Sequence, residues 1–345
     1  MIEEIFKNTI ARYDLLERKD RIMLGTSGGP DSIFMLYQFY NLAKEYKLQL
    51  VCAHFNHMLR PEADSEEEFV KNTCKGLGIK FVAEKKDVNK FFKGDSLEQT
   101  ARNLRFDFFL NSSRHLKIKK LALAHHKDDL VETVLMRIIR GSGLKGLRAF
   151  LPKSKFRSLT VIRPLIELHK KDILKWLEDK NISYCIDKSN FEDKFLRNRI
   201  RLKLMPVLSE INPGIAQSLY NLSLNTSLDY DFIYAFSRKE FEKLRRGETK
   251  REIKLDLEGL KKNHPAIINN IIRVAIEELK GDTRRLELRH LDEIKDLIDN
   301  RPSGSIVHLP GLSILKEEKR PNSAPQPLKG RFFLDFDFSR HNVCY

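Results

Sequence analysis

Ile22-Met-Leu-Gly-Thr-Ser-Gly-Gly-Pro-Asp-Ser32 decides the fold of this chain. An apolar run (Ile22, Met23, Leu24) reads as a buried strand, and Ile33, Phe34, Leu36, Tyr37 and Tyr40 follow at helical spacing. Between them lies Ser27-Gly28-Gly29-Pro30-Asp31-Ser32, a glycine turn opening a helix. Strand, turn and helix N-terminus together aim free backbone N–H groups and the positive helix end at an anion. Gly28 and Gly29 remove the Cβ atoms that would block a phosphate, and they permit positive φ. A Walker A loop would end in Gly-Lys-Ser/Thr, whose lysine reaches the terminal phosphates. Here Asp31 stands near that place, a residue suited to a Mg²⁺-bound phosphate. A structural βα turn would use the same Gly and Ser residues, so the loop alone does not settle the matter.

Working outward, strands and helices alternate. Leu48–Phe55, Lys80–Ala83, Leu121–Ala124 and Thr160–Ile162 read as further short apolar strands. Helical patterns run over 62–77, 96–116, 127–140 and about 170–180, with a capping-box spacing at Ser96-Leu-Glu-Gln99. This order predicts an α/β fold, a parallel twisted sheet with helices on both faces. Ligands of such sheets sit beyond the carboxyl ends of the strands, where strand order reverses. Ser27–Ser32, His54–Arg60 and His125–Asp129 are therefore expected to converge on one crevice. From about Ile211 the pattern changes to charged helical periodicity without convincing strands, after a candidate hinge at Asn212-Pro-Gly214. The predicted division is 1–210, a small helical domain over 211–300, and a short segment over 301–345 with β-like runs such as Ser305-Ile-Val-His-Leu309 and a Pro-rich piece at 321–327.

The chain of 345 residues carries 63 Lys and Arg against 48 Asp and Glu, a net charge of +15. That field favours a polyanion, with nucleic acid ahead of a membrane surface. Cys52, Cys74, Cys185 and Cys344 are scattered without a C-x-x-C pair, which argues against zinc ribbons, iron–sulfur sites and disulfide frameworks. This usage fits a reducing, cytoplasmic setting. No apolar run reaches membrane-spanning length, and the N-terminus lacks a signal-peptide core.

Four constellations accompany the loop. His54-Phe-Asn56-His57 with Arg60 follows the second strand, where it would line a nucleotide site. Glu98, Arg102 and Arg105 share one helical face, either as a solvated salt-bridged stripe or as a guanidinium fork for phosphate. His125-His-Lys-Asp-Asp129 joins the fourth strand to its helix, with Glu132 one turn on. Carboxylates with phosphate oxygens suit Mg²⁺ there, and zinc lacks partners. Arg197, Arg199 and Arg201 alternate, so they cannot all face one way on a helix.

Taken in order, these motifs resemble the tRNA(Ile)-lysidine synthases of the PP-loop ATP pyrophosphatase superfamily. The carrying residues are Ser27–Ser32, Ala53–Arg60, Glu98–Arg105, Ala124–Thr133, Arg140–Leu147, Arg163-Pro-Leu165, Asp187–Asn190 and Arg197–Arg201, within about residues 20–210. The resemblance implies ATP-dependent joining of free L-lysine to C2 of the wobble cytidine of a tRNA(Ile) with a CAU anticodon. It implies ATP contacts at Ser27, Gly28, Gly29, Pro30, Asp31, Ser32, His54 and Asn56, with Mg²⁺ on Asp31 and Asp129. It places Arg105 and His125 at the phosphates or the activated base, and Glu132 at the lysine ammonium. Arg102, Arg197, Arg199 and Arg201 are implied to meet the tRNA or the intermediate, with a basic helical domain gripping the rest of the tRNA. Phe106 and Phe195 stand where the family often has tyrosine, and Pro302–Tyr345 is expected as a rudiment of a domain found in longer members. The sequence leaves a homodimer open. A tRNA-thiolating PP-loop enzyme is the main rival; it needs site-placed cysteines, whereas those here read as core residues. An amidotransferase-type pyrophosphatase would need a glutaminase, and a non-catalytic binder has no need of Asp31, Asp128, Asp129 and Glu132.

Overall fold

The computed structural model describes residues 1–92, 94, 96–186, 196–248, 252–283, 285–318 and 330–335. Asp187–Asn190, Phe195, Cys344 and the Pro-rich stretch at 321–327 lie outside them. Packing divides the chain into two compact units, Met1–Ser227 and Leu228–Tyr345.

The first unit opens with helix α1 (Ile2–Arg12), β1 (Arg21–Gly25) and α2 (Pro30–Tyr46). It continues through β2 (Gln49–Asn56), α3 (Ala63–Gly76), β3 (Lys80–Lys85), α4 (Leu97–His115) and β4 (Lys120–Leu123). Then come α5 (Lys127–Ile139), the short α6 (Leu144–Leu147), β5 (Lys153–Phe156), β6 (Leu159–Ile162) and α7 (Lys170–Asp179). The sheet order is β3-β2-β1-β4-β6-β5. All neighbours are parallel except the β5–β6 pair, an antiparallel edge hairpin that the sequence pattern did not reveal. Parallel pairing needs a helical crossover each time, which is why apolar strands alternate with helices. Strand order reverses between β1 and β4, so a crevice opens above their carboxyl ends.

Alternation along the strands sorts the core onto two faces. Ile22, Leu24, Cys52 and Ala122 point to one face, under Phe6, Phe34, Phe39, Val70, Cys74, Ile173 and Trp176 of the flanking helices. Met23, Val51, Phe55, Leu121 and Leu123 point to the other, under Phe106, Phe108 and Phe109 of α4. Phe106 packs 4.6 Å from Phe156, ring centroid to centroid, so this site is filled by a ring without a hydroxyl. Cys52 and Cys74 are buried free thiols, as expected of core residues.

Helix α4 departs from its expected cap in one half. The Ser96 hydroxyl accepts from the Gln99 amide at 3.1 Å, but the Gln99 side chain donates to Asn103 at 2.8 Å instead of reaching back. The reciprocal box occurs at α5, where the His126 ring accepts from the Asp129 amide and the Asp129 carboxylate accepts from the His126 amide.

Beyond α8 (Leu196–Arg199), a π turn (Ile200–Leu204) and α9 (Met205–Ile211), the long α10 (Ile215–Leu244) carries the chain out of the first unit. The periodicity change at Ile211 marks the end of α9, whereas packing places the boundary inside α10. The reason is a satellite core: Leu219 and Tyr220 of α10 pack with Leu130, Val131, Val134, Ile166 and Ile200.

The second unit holds the end of α10 and the helices α11 (Leu257–Lys261), α12 (Pro265–Lys280) and α13 (Leu288–Asp299). It also holds strands: β9 (Ile306–Leu309) falls in the β-like run Ser305–Leu309, whereas β7 (Arg245–Glu248), β8 (Glu252–Asp256), β10 (Leu312–Glu318) and β11 (Gly330–Asp335) were hidden in the sequence pattern. They form one antiparallel sheet, β7-β8-β11-β10-β9, so residues 306–318 and 330–335 complete a sheet begun before 257 and do not stand apart. The short strands carry many charges on their outer faces, which masked the alternation of buried Ile253 and Leu255.

Phe34 is fully buried and meets Trp176 edge-on at 5.0 Å. Phe34→Ala is expected to cost about 3–5 kcal/mol of stability. Trp176 is the single tryptophan, so denaturant unfolding followed by its fluorescence reads this unit directly.

Candidate active site

The loop after β1 is shaped by backbone geometry. Gly28 has φ +93°, and a Cβ there would lie 3.3 Å from Val70 and 3.4 Å from the Cys185 sulfur, so only glycine fits without strain. Gly29 caps α2 and Pro30 supplies its pre-set first turn. The Ser32 hydroxyl ties the loop together: it accepts from the Ser27 amide at 3.2 Å and the Gly28 amide at 3.1 Å, and donates to the Gly29 carbonyl at 2.8 Å. The cradle is thus held open by its own serine.

Asp31, in the first turn of α2, points at the reversal in strand order. Its Oδ2 accepts from the Lys170 ammonium at 2.6 Å, while Oδ1 is buried without a hydrogen-bond partner. The loop after β4 meets it from the other side of the crevice. His126 Nε2 lies 3.8 Å from Asp31 Oδ1 and 3.4 Å from Asp129 Oδ2. Because His126 Nδ1 accepts the Asp129 amide, the ring proton sits on Nε2, facing both carboxylates. Burial alone would raise the Asp129 carboxyl, but His126, His125 and Arg197 hold it below the usual range. Asp128 turns away. Its oxygens accept from His169 at 3.0 Å and from the Lys170 amide at 2.7 Å, which pins α7 to α5 and keeps this carboxyl low despite burial.

Glu132 is 3% exposed and grips Arg201 through two bonds of 2.6 and 3.0 Å, with the Arg197 guanidinium 3.6 Å away. Burial nevertheless raises its pKa. Arg197 also donates to the Thr133 hydroxyl at 3.0 Å. Arg197 and Arg201, four residues apart, therefore share a face, while Arg199 is exposed on another. The π turn begins between Arg199 and Arg201, an irregularity of the kind that often marks functional positions.

A cationic wall completes the crevice. Burial, with Arg102 adding repulsion, lowers Arg105 to about 10, and its Nε has no partner. Arg102 lies over the Phe106 ring at 4.9 Å. The His125 ring lies 5.1 Å from Phe150, tilted 45° to it, and Arg163 covers Phe150 from 5.3 Å. Burial and the nearby arginines lower His125 to about 3, against a favourable pull from Asp129, and its Nδ1 is unpartnered. His57 falls to about 4 by burial and the Arg105 charge. These imidazoles are neutral at ordinary pH beside guanidinium groups that lack enough anions.

Of the residues singled out in sequence, Asp31, Asp129 and His126 share one set of contacts, and Glu132, Arg197 and Arg201 another. His125, Arg102 and Arg105 are electrostatically coupled to one another. His54 and Asn56 have structural partners: His54 Nδ1 is 2.9 Å from the Thr26 carbonyl, and Asn56 donates to Ala63, Asp64 and Glu67. They brace the loops on either side of the crevice. Lys170, His169 and Phe150 were missed as site residues, since a lysine at a helix start has no local signal, and Arg163 was read within the motif Arg163-Pro-Leu165 but given no site role. Among the described residues, no three His, Cys, Asp or Glu side chains are placed to hold a metal by themselves.

With His125 and His57 titrating far below the 6.5 of an exposed histidine, the unfolded chain binds more protons than the folded one between those values. Stability is then complete above about pH 6.5 and falls as pH drops, by up to ~1.4 kcal/mol per pH unit for each histidine. Thermal melts from pH 7 to 5 should fall less steeply for His125→Gln than for the parent; equal slopes would show that His125 is not held neutral. In the same assay, Arg201→Met strands the Glu132 carboxylate and is expected to destabilise more than the double change Arg201→Met, Glu132→Gln.

This arrangement has counterparts. Residues 2–208 match the family described as PP-loop domain, and residues 255–318 match the TilS substrate binding domain. The tRNA(Ile)-lysidine synthase of Caldanaerobacter subterraneus subsp. tengcongensis is 36% identical over 316 residues, which cover 90% of this chain and 66% of that one. This chain therefore spans about two thirds of the length of that relative. The tRNA(Ile)-lysidine synthase of Petrotoga mobilis is 32% identical over 317 residues, covering 91% and 95%. The U34-tRNA thiolase NcsA from Methanococcus maripaludis shares the fold at a TM-score of 0.56 and 20% identity, over 65% of this chain and 76% of that one. By its PP-loop domain over residues 2–208 and by its 32% identity to the Petrotoga mobilis relative, matched over 95% of that chain, the chain belongs to the tRNA(Ile)-lysidine synthase family of PP-loop proteins.

Proposed function

We propose that the crevice activates the wobble cytidine of a tRNA(Ile) bearing a CAU anticodon with ATP, then joins free lysine to it. The observation that carries this reading is the meeting of Asp31 and Asp129 around one imidazole, beside a pre-opened phosphate loop. In the first step the C2 carbonyl oxygen attacks the α-phosphorus and pyrophosphate leaves. In the second the ε-amine of lysine attacks C2, and the oxygen departs with AMP.

Each residue has a task within this scheme. The N-terminus of α2 takes the leaving pyrophosphate, whose charge grows as the bond breaks, joined by the Ser27 and Gly28 amides as they exchange the Ser32 hydroxyl for phosphate oxygens. The unpartnered Oδ1 of Asp31 and the carboxylate of Asp129 fit a Mg²⁺ ion that two protein carboxylates share with nucleotide oxygens. When bound, the ion neutralises phosphate charge. Arg102 and Arg105, whose Nε lacks a partner, meet the tRNA, and neutral His125 offers its ring nitrogen to the activated base. A splayed single-stranded base is the form in which an RNA loop enters such a pocket. Glu132, held by Arg201 and flanked by Arg197, is the acidic end of the site toward which the lysine ammonium is drawn. The excess of basic residues supports binding of the remaining tRNA, with affinity that falls steeply as salt rises.

A thiolating chemistry would call for an activated cysteine. Cys185, read from the sequence as a core residue, is among the described residues the thiol that lies against the loop, but burial and the Glu66 charge push it up, away from the reactive thiolate.

The test is direct. Protein incubated with ATP, labelled lysine and tRNA with a CAU anticodon should place label in the RNA, and absence of label would refute the reading. Asp31→Ala should abolish pyrophosphate release while tRNA affinity changes only a few fold; retained release would refute the metal assignment.

A further inference from the structure

The phosphate loop lacks the lysine that such loops commonly carry, and the structure shows an ammonium arriving from elsewhere. Lys170 opens α7, 139 residues after Asp31, and its Nζ lies 2.6 Å from Asp31 Oδ2. Its main chain is fixed: the Lys170 amide donates to Asp128 Oδ2 at 2.7 Å, and His169 holds the other oxygen of that carboxylate at 3.0 Å. Asp128 belongs to α5, so one clamp locks the start of α7 to the loop after β4. From this anchor the side chain reaches across to α2 and stays about one-third exposed, on the open side of the loop.

A lysine stem on a rigid anchor has four flexible carbons, so its head moves by some ångströms while its root stays put. The ion pair to Asp31 is partly solvated, and such pairs contribute little stability, so it is readily exchanged. Asp31 is also the carboxylate whose other oxygen has no partner. A metal-bound nucleotide would claim that carboxylate and present anionic oxygens in its place. The ammonium then has a better partner within reach, since charge-assisted bonds to phosphate are among the stronger ones.

We propose that Lys170 supplies from α7 the phosphate-facing ammonium that the loop lacks, and that Asp31 holds it in register until the metal-bound nucleotide arrives. The inference rests on the nucleotide reading of the crevice given above. It assigns Lys170 as a binding residue for the β- and γ-phosphates, while the clamp of Asp128 and His169 positions it.

The experiment is calorimetric binding of the non-cleavable analogue α,β-methylene-ATP, and of AMP, with saturating Mg²⁺ and no tRNA, to the full chain. Lys170→Met is expected to weaken the analogue about tenfold or more while AMP changes less than about twofold, since AMP lacks the outer phosphates. Lys170→Arg should restore most of the analogue affinity, because it keeps the charge. Thermal melts of both variants within a few degrees of the parent would assign the loss to binding and not to folding. Unchanged or tighter analogue binding by Lys170→Met would overturn the proposal, showing a counter-ion that merely blocks Asp31. Equal weakening of analogue and AMP would overturn it as well, pointing to a distorted loop. A parent protein that takes up AMP but no analogue would likewise refute it, whereas one that binds neither overturns the nucleotide reading itself.

Discussion

Two helix N-termini, each carrying an aspartate, meet around a single imidazole, and the rest of the site depends on that meeting. Asp31 comes from the start of α2 and Asp129 from the start of α5, and His126 Nε2 faces both. Neither carboxylate is placed by its own loop alone. The order β3-β2-β1-β4-β6 sends the crossovers to opposite sides of the β1–β4 pair, so the two loops that follow those strands are brought face to face. Burying two acids this close would be unfavourable without compensation. His126, the amide ends of the helices and the Lys170 ammonium provide it.

The charge balance of the crevice is graded from one end to the other. At the loop, Asp31 and Asp129 concentrate negative charge where a cation would sit. Along the opposite wall Arg102, Arg105 and Arg163 crowd together with too few acids, and their mutual repulsion combines with burial to lower Arg105 and Arg163 to about 10. His125 lies between these regions and is kept neutral chiefly by burial, with the arginines adding to it and Asp129 opposing it. A site built this way has a cation-accepting end, an anion-accepting end and an uncharged hydrogen-bonding group between them. That grading suits a reaction in which a polyanionic nucleotide and a polyanionic RNA must approach one another without mutual repulsion.

Much of this was readable from the chain, and the reasons differ by residue. The five parallel strands were legible because each is a short apolar run between helical patterns, and Ser27–Ser32 because glycines and helix start coincide. Convergence of the loops followed from topology. The edge strand β5 was hidden because Lys153-Ser-Lys-Phe156 is polar and pairs on one side only. Of the second sheet only β9 was legible, as Ser305–Leu309; β7 and β8 were hidden because they are brief and rich in charge, and because β8 finds its partner β11 some eighty residues later. Lys170 was illegible for a different reason: its task is set by a contact to Asp31 that no local pattern encodes. His126 was read as one of a pair of histidines, yet its place as helix cap and as bridge between carboxylates emerges only in three dimensions. The arginines at 197 and 201 were read as candidates for RNA, and their engagement with Glu132 shows that part of their charge is spent inside the protein.

The most direct test of the central claim is the crystal structure of the protein with α,β-methylene-ATP and Mn²⁺, read by the anomalous signal of the metal. The account predicts a manganese peak bonded to Asp31 and Asp129, directly or through water, with the β- and γ-phosphates against the amides of Ser27–Ser32. A metal bound away from both carboxylates, or phosphates seated on Arg102 and Arg105 instead of the loop, would contradict it.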